Sequence, residues 1–426
     1  MLHTLKKRLY FVVAAYFAFW AKFVLRRWRP RVIIVTGSSG KTTVLHMVEA
    51  QLGDRAIYSH HANSAIGLPF DILGLEPNVP SKLDWVKYVL VAPFKIWRAL
   101  PKQKIYVAEA DCDRPNEGKF ISQLLRPEVT IWVSVFRTHS MNFDSLVAAG
   151  KFKSPEEAIA YEFGYFAANT SKLLIINADQ PLIMSQLQRV SSTVKVVEVH
   201  EAAVSSFAIE DKTTLYKLAD QEVRLTGLHP KELGNSVQMV RSLLDYLSLP
   251  FDPVFKNFHT PPGRSNVLAG KNNSIIIDST YNTGLGAMSV ILDLFGQYPH
   301  QPKWLVMGDI LEQGNVEQEE HEKLAAKILT LKFDRIVLLG PRIQKYTYPI
   351  LKQNLGEATV VSFETPKQVL DYLTQNLKGS EALLFKGARG LEGVIEQLLA
   401  NPADEAQLVR RGAAWTKRRQ AWGLPK

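Results

Sequence analysis

Arg31-Val-Ile-Ile-Val-Thr-Gly-Ser-Ser-Gly-Lys-Thr-Thr43 decides the fold. Val32 to Val35 is a β-branched run of the kind that forms a buried parallel strand. The run stops at Thr36-Gly37, and from Lys41 onward Val44, Met47 and Val48 recur at helical spacing. Strand, glycine loop and helix start together describe a phosphate-binding loop over Gly37, Ser38, Ser39, Gly40, Lys41, Thr42 and Thr43. The glycines let backbone N–H groups turn inward, and the helix N-terminus adds partial positive charge. Lys41 is placed to reach the outer phosphates from an exposed position, and the Thr42 hydroxyl to meet Mg²⁺. Two residues separate Gly37 from Gly40, where the common loop has four between its glycines.

Around this loop the chain extends to 426 residues, enough for two domains. Hydrophobic residues make up 46% and charged residues 22%, so a large core needs no disulfides. The lone Cys112 has no partner in the chain, which fits a reducing, cytoplasmic compartment. The net charge of +10 is concentrated at the ends. Residues 1–31 hold eight basic residues and no acid, residues 410–426 six more and no acid, and the body between them is mildly acidic. Such ends suit an anionic membrane surface, and no nucleic-acid module is recognisable.

Leu9 to Leu25 is apolar except for Lys22 and rich in aromatic residues. Seventeen residues are at the lower limit for a spanning helix. A span with a cytoplasmic phosphate loop would put Lys6, Lys7 and Arg8 outside, against the positive-inside rule. The composition favours an interfacial or protein-docked helix at the inner face of the plasma membrane, with a span as the alternative. Residues 1–30 read as a separate element that the nucleotide domain does not need for folding.

Apolar runs at 32–35, 105–108, 129–135, 173–176 and 194–199 alternate with helical stretches, the pattern of a parallel sheet covered by helices. An amphipathic helix is expected at 236–249, and Pro250, Pro253, Pro261 and Pro262 then mark a linker. Beyond it, strands at 274–277, 304–307, 336–339, 359–361 and 382–385 alternate with helices near 287–295, 317–330, 366–377 and 391–399. The expected fold is α/β: an N-terminal helix at 1–30, a central phosphate-loop domain at 31–255 and a smaller Rossmann-like domain at 256–426.

The loop Thr36-Gly-Ser-Ser-Gly-Lys-Thr-Thr43 resembles that of the Mur ligase family, and four later motifs agree. They are Asn63-Ser-Ala-Ile-Gly-Leu-Pro69, Asp278-Ser-Thr-Tyr-Asn282, Val306-Met-Gly-Asp-Ile-Leu-Glu-Gln-Gly314 and Phe385-Lys-Gly-Ala-Arg-Gly-Leu-Glu392. The last three are most similar to the member that adds D-alanyl-D-alanine to a UDP-muramoyl tripeptide. The resemblance covers residues 31–400 and does not include the family's N-terminal UDP-gripping domain, in whose place the short helix stands.

The resemblance implies an ATP- and Mg²⁺-dependent ligase. ATP phosphorylates a carboxylate on a small-molecule or peptide acceptor, and an amino acid or dipeptide amine attacks the acyl phosphate. It assigns Glu109, at the end of Tyr106-Val-Ala-Glu109, to Mg²⁺ beside Thr42, and His139 to a second metal. It places Asn235 near the adenine, Arg264 on the phosphates, and Asp278 and Asn282 with Tyr281 on the ribose and base. Asp111 and Asp113 read as solvated acids, and His321 as a solvated helix-face residue or a family site. One departure stands out: the family's carbamylated lysine falls at Tyr161 when counted back from Asn177-Ala-Asp179, with Glu162 beside it and Lys153 upstream. Either Glu162 supplies the missing carboxylate directly, or Lys153 serves with the register slipped. Related alternatives are a folate- or polyamino-acid-extending ligase, or a membrane-associated ATP-binding regulator without ligase activity.

Overall fold

A computed structural model describes residues 2–60, 62–75, 82–210, 212–219, 221–281, 284–387 and 390–425; the side chains of 2–8, 82 and 83 are not described. The chain forms two compact units, one of residues 1–203 with 234–258, the other of residues 204–233 with 259–426. This division is discontinuous, unlike the contiguous split expected at the proline-rich linker, because residues 204–233 group with the C-terminal part.

The first unit opens with helix α1 (Leu2–Trp28). Its sheet comprises β1 (Arg31–Thr36), β2 (Ala56–Tyr58), β3 (Ile105–Ala110), β4 (Val129–Trp132), β5 (Leu173–Asn177) and β6 (Lys195–Val199). All six strands are parallel in the order β2-β3-β1-β4-β5-β6. β1 is flanked by β3 and β4, so the strand order reverses beside it and opens the crevice where such sheets bind ligands. The helices are α2 (Lys41–Leu52), α3 (Gly67–Leu73), α4 (Lys82–Val91), α5 (Glu117–Leu125), α6 (Asp144–Ala148), α7 (Pro155–Ala168), α8 (Pro181–Met184) and α9 (Leu233–Leu247). β4 ends three residues earlier than its apolar run, since 133–135 turn toward the phosphate loop: the Ser134 carbonyl accepts the Ser38 N–H at 2.9 Å.

α1 corrects the expectation of a dispensable element. Ala14, Phe17, Ala21 and Val24 are buried in the unit's core, with the Phe17 ring 4.5 Å from that of Phe70. The Trp28 indole N–H donates to the Gln103 carbonyl at 2.7 Å. Removing residues 1–30 would bare this face, an apolar exposure worth several kcal/mol.

The second unit contains a three-stranded antiparallel sheet, β7 (Val204–Glu210), β8 (Thr213–Leu218) and β9 (Gln221–Thr226), that the alternation search missed. Its main sheet comprises β10 (Asn266–Ala269), β11 (Ile275–Ser279), β12 (Lys303–Gly308), β13 (Arg335–Leu339), β14 (Val360–Phe363) and β15 (Ala382–Lys386), ordered β10-β11-β15-β12-β13-β14. Only β10, the edge strand, runs antiparallel. Helices α10 (Leu285–Gln297), α11 (Glu317–Leu329), α12 (Tyr348–Leu355), α13 (Pro366–Asn376), α14 (Leu391–Leu398) and α15 (Ala413–Ala421) complete the unit. α13 starts with a capping box, Thr365 and Gln368 exchanging side-chain and backbone bonds.

Candidate nucleotide and metal site

The glycine loop joins β1 to α2 where expected. Gly37 has φ +130°, and a Cβ there would lie 2.7 Å from the Ser134 carbonyl oxygen, so only glycine fits. Gly40, at φ +84°, caps α2 and leaves the first-turn N–H groups of Lys41, Thr42 and Thr43 facing outward along the helix axis. The Ser39 N–H donates to the Ser134 hydroxyl at 2.9 Å, which donates back to the Ser39 carbonyl at 2.8 Å.

Lys41 differs from the expected exposed side chain: it is 6% exposed. Its ammonium donates to the Gly37 carbonyl at 2.7 Å and pairs with Asp111 at 2.8 Å. Burial by itself would lower its pKa, but Asp111 and Glu109 outweigh that and hold it above the ordinary lysine value. Lys41 is therefore a fully charged group folded over the loop.

Thr42 and Glu109 meet directly, the hydroxyl donating to the carboxylate at 2.7 Å. Glu109 reaches this point because β3 pairs with β1 in a register that sets it beside Val35, at the carboxyl edge of the sheet. Two hard oxygen donors next to a phosphate loop fit Mg²⁺, which takes oxygen ligands and keeps bonds to phosphate. His139 is held by Asp113, Nε2 to Oδ1 at 3.3 Å. Asp111 and Asp113 are thus partners of Lys41 and His139 rather than solvated acids. Burial and then the neighbouring Asp111 push the Asp113 carboxyl up, against the pull of His139.

Glu162 is bonded to the backbone that follows Asp113. Its two oxygens accept the Asn116 N–H at 2.8 Å and the Gly118 N–H at 3.2 Å. It caps α5, using its charge on the N-terminal turn of that helix. The physical reason is helix packing: a Cβ at Gly118 would lie 2.1 Å from the Glu162 carbonyl oxygen, so α5 and α7 approach closely and the carboxylate is drawn into the α5 terminus. Tyr161 is exposed beneath the Arg189 guanidinium, 4.1 Å from its ring, and Lys153 is exposed. The carboxylate expected to replace the family lysine is thus bonded to the α5 N-terminus.

Asn235 lies in the first turn of α9 and is buried, its amide 3.5 Å from Asp179 and its carbonyl oxygen without a hydrogen-bond partner. Asp179 also accepts the Glu201 N–H at 2.7 Å and faces His200 at 3.1 Å. Among the described residues nothing donates to the buried Asn235 carbonyl oxygen. Elsewhere on α2, Glu49 meets His46 at 3.6 Å and His60 at 3.0 Å, contacts that tie the helix to the segment after β2.

The other expected residues lie in the second unit. Asp278 is fully buried at the end of β11; one oxygen accepts from the Thr280 N–H at 3.0 Å and hydroxyl at 2.7 Å, and the other has no partner among the described residues. Burial raises its pKa to about 6. Arg264 lies over the Tyr281 ring at 3.9 Å. Asn282 lies outside the described residues. Lys386, part of the Phe385–Glu392 motif, was missed as a site residue; it ends β15 beside Ser279. Burial, then Arg264, lowers its pKa to about 7. The signal available was its place at a strand end next to Gly387. His321 is a buried core residue, not a solvated one: its Nδ1 donates to the Glu317 carbonyl at 2.7 Å and its Nε2 accepts the Ile310 N–H at 3.3 Å.

A parallel sheet with a glycine loop, a phosphate lysine and a Thr–Glu oxygen pair defines a nucleoside-triphosphate-dependent enzyme. Residues 35–234 match the Mur ligase middle domain, and residues 263–389 match the Mur ligase glutamate ligase domain. The chain belongs to the Mur ligase family, whose members are ATP-dependent ligases that use ATP and Mg²⁺. It is 24% identical over 388 residues to a UDP-N-acetylmuramoyl-tripeptide–D-alanyl-D-alanine ligase of Borreliella burgdorferi, covering 87% of this chain and 74% of that one. Among solved structures, the MurF ligase of Thermotoga maritima in complex with ADP superimposes with a TM-score of 0.72 at 18% identity, covering 92% and 83% of the two chains. Escherichia coli FolC in complex with DHPP and ADP shares the fold less closely, with a TM-score of 0.55 at 14% identity, covering 87% of this chain and 89% of that one.

Proposed function

We propose that this ligase joins D-alanyl-D-alanine to the terminal carboxylate of a UDP-muramoyl tripeptide, with ATP consumed through an acyl phosphate. The observation that carries the reading is the charged Lys41 folded over the loop between Gly37 and Asp111, beside the Thr42–Glu109 pair. Attack of a carboxylate on ATP brings two anions together, so the step needs fixed cations and donors at the transferred phosphoryl group. Lys41 exchanges the Gly37 carbonyl for phosphate oxygen, and the first-turn N–H groups of α2 bind the same anion. Thr42 and Glu109 would hold Mg²⁺, which supplies charge neutralisation at the phosphates. The Asp113–His139 pair lines the same loop, with Asp113 fixing the imidazole's orientation. The FolC-like alternative has the weaker support, since the curated relatives carry the D-alanyl-D-alanine ligase name. A regulator that binds ATP without ligating it is favoured by one observation, the commitment of Glu162 to α5. For location, the apolar α1, with a mean hydropathy of 1.5 over an 18-residue window within Leu9–Trp28, and the basic ends support attachment to the inner face of the plasma membrane.

The test is ADP release and product mass with ATP, Mg²⁺, UDP-muramoyl tripeptide and D-alanyl-D-alanine, against arms with a folate and glutamate. Ligated product in the first arm only is expected, and Lys41→Met should lower turnover roughly 100-fold or more. Product in the folate arm alone overturns the substrate, and ATP binding without ADP release in any arm supports the regulator.

A further inference from the structure

α1 is not the only apolar surface of the first unit. Of the fourteen large hydrophobic side chains that are exposed among the described residues, eight lie on α1 or between residues 86 and 97. On α1 they are Leu9, Val12 and Phe19. On α4 and the turn after it they are Val86, Val89, Leu90, Phe94 and Trp97, with Phe94 at 71% and Trp97 at 70%. A scatter of single apolar residues over a surface is ordinary, but a cluster of this kind marks an interaction site.

The two segments lie side by side. The Tyr16 hydroxyl donates to the Val89 carbonyl at 2.6 Å, the Phe17 and Trp85 rings are 6.4 Å apart, and the Arg27 guanidinium donates to the Ile96 carbonyl. Both rest on the same core, through Ala14, Phe17 and Ala21 from α1 and Ala92 from the second segment. Their inner faces are therefore spent on the protein, and their outer faces are neighbours.

Charge identifies the occupant. Residues 9–31 contain Lys22, Arg26, Arg27, Arg29 and Arg31, and residues 85–104 contain Lys87, Lys95, Arg98, Lys102 and Lys104; neither stretch has an acid. Lys22, Arg26, Arg29 and Lys87 are exposed next to the apolar residues. A second copy of the chain would bring the same cations against each other. Aromatic and aliphatic side chains bordered by cations match the boundary between acyl chains and anionic headgroups.

We propose that the outer face of α1 and the segment 86–97 together form a monotopic docking surface for an anionic lipid bilayer, with α1 lying in the interface while packed on the protein. The proposal rests on the reading of α1 as the attachment element and adds the second segment and the geometry. A helix whose Ala14, Phe17, Ala21 and Val24 are held in the protein core cannot cross the bilayer without stripping that core.

The test uses full-length protein in co-sedimentation with vesicles of phosphatidylcholine alone or mixed with phosphatidylglycerol. Wild type should bind the mixed vesicles, weaken at 1 M salt, where the Debye length falls to about 3 Å, and come off in an alkaline carbonate wash. Phe94→Glu with Trp97→Glu should lower partitioning roughly tenfold or more, with unchanged thermal stability and ADP release in vesicle-free buffer, because both side chains are exposed. Binding that survives this double variant but is lost in Val12→Glu with Phe19→Glu overturns the two-element surface and leaves α1 as sole anchor. Resistance to carbonate overturns it in favour of a span. Absence of binding to either vesicle, or a concentration-dependent dimer in light scattering that the double variant abolishes, overturns both this proposal and the membrane reading of α1. None of these outcomes bears on the ligase reading, which the ADP assay judges separately.

Discussion

Tyr10→Phe probes the link between α1 and the acidic loop that holds Lys41 and His139. The Tyr10 hydroxyl donates to Glu117 at 2.7 Å, and the same carboxylate accepts the Ala65 N–H at 3.1 Å and, through its other oxygen, the Asp113 N–H at 3.1 Å. Arg114 lies over the Tyr10 ring at 3.9 Å, a contact phenylalanine keeps. Glu117 is fully buried, so the variant removes one donor from a desolvated carboxylate, together with the Tyr10 contact to the Ser64 hydroxyl. A hydrogen bond to a charged group contributes about 1.5–3 kcal/mol, which for a unit of this size is a fall of roughly 3–12 °C in melting temperature.

The pH dependence is more specific. Burial raises the Glu117 pKa, and the Tyr10 hydrogen bond is the largest influence opposing that rise. With a raised folded pKa, the native state holds its proton longer than the unfolded chain, so stability is full below the ordinary glutamate value and is lost as pH climbs through the folded pKa. Tyr10→Phe raises the folded pKa further. Its penalty should therefore be small near pH 4, below the ordinary glutamate value, and should grow as pH climbs toward 7. Tyr16→Phe is the control, because its hydroxyl meets an exposed backbone carbonyl and should cost less than about 1 kcal/mol at every pH. Chemical denaturation of both variants at the two pH values is the assay. A Tyr10→Phe penalty that is equal at pH 4 and pH 7, or no larger than that of Tyr16→Phe, would refute the reasoning.

Glu162→Gln should act on stability before chemistry: a single amide oxygen replaces two carboxylate acceptors at the α5 terminus, costing about 1–2 kcal/mol by denaturant titration. Turnover at saturating substrate should change less than tenfold and show no bicarbonate dependence; a loss as large as that of Lys41→Met would restore Glu162 to the metal site. In the second unit, burial lowers the His229 pKa to about 4. The unfolded chain then takes up a proton near pH 6.5 while the native state does not, so stability falls as pH drops from about 6.5 to 4, by about 3 kcal/mol in total. His229→Gln, which can still donate to the Thr226 carbonyl that His229 meets at 2.9 Å, should flatten that slope, and parallel pH–stability curves for the two proteins would contradict the burial argument.

The sequence by itself determined the parallel sheets, the glycine loop between β1 and α2, and the place of Glu109 at the end of β3. These depend on local signals: a β-branched run, glycines where φ must be positive, a helix start, and an acid at the end of a buried strand. It also carried the family resemblance, which residues 35–234 and 263–389 confirm. The short antiparallel strands β7 to β9 were missed because their half-exposed pattern lacks continuous apolar runs. Tertiary structure alone decided which way charged side chains turn. Tyr161 and Glu162 are adjacent in sequence, yet close approach of α5 and α7 commits the Glu162 carboxylate to a helix terminus, while Asp111 and Asp113 gain Lys41 and His139 as partners. The same holds for α1: its composition fits lipid, and only packing shows that Phe17 faces the core while Phe19, two residues on, faces outward. Sequence spacing fixes which residues share a face, whereas the neighbour that face meets depends on contacts between segments far apart in the chain.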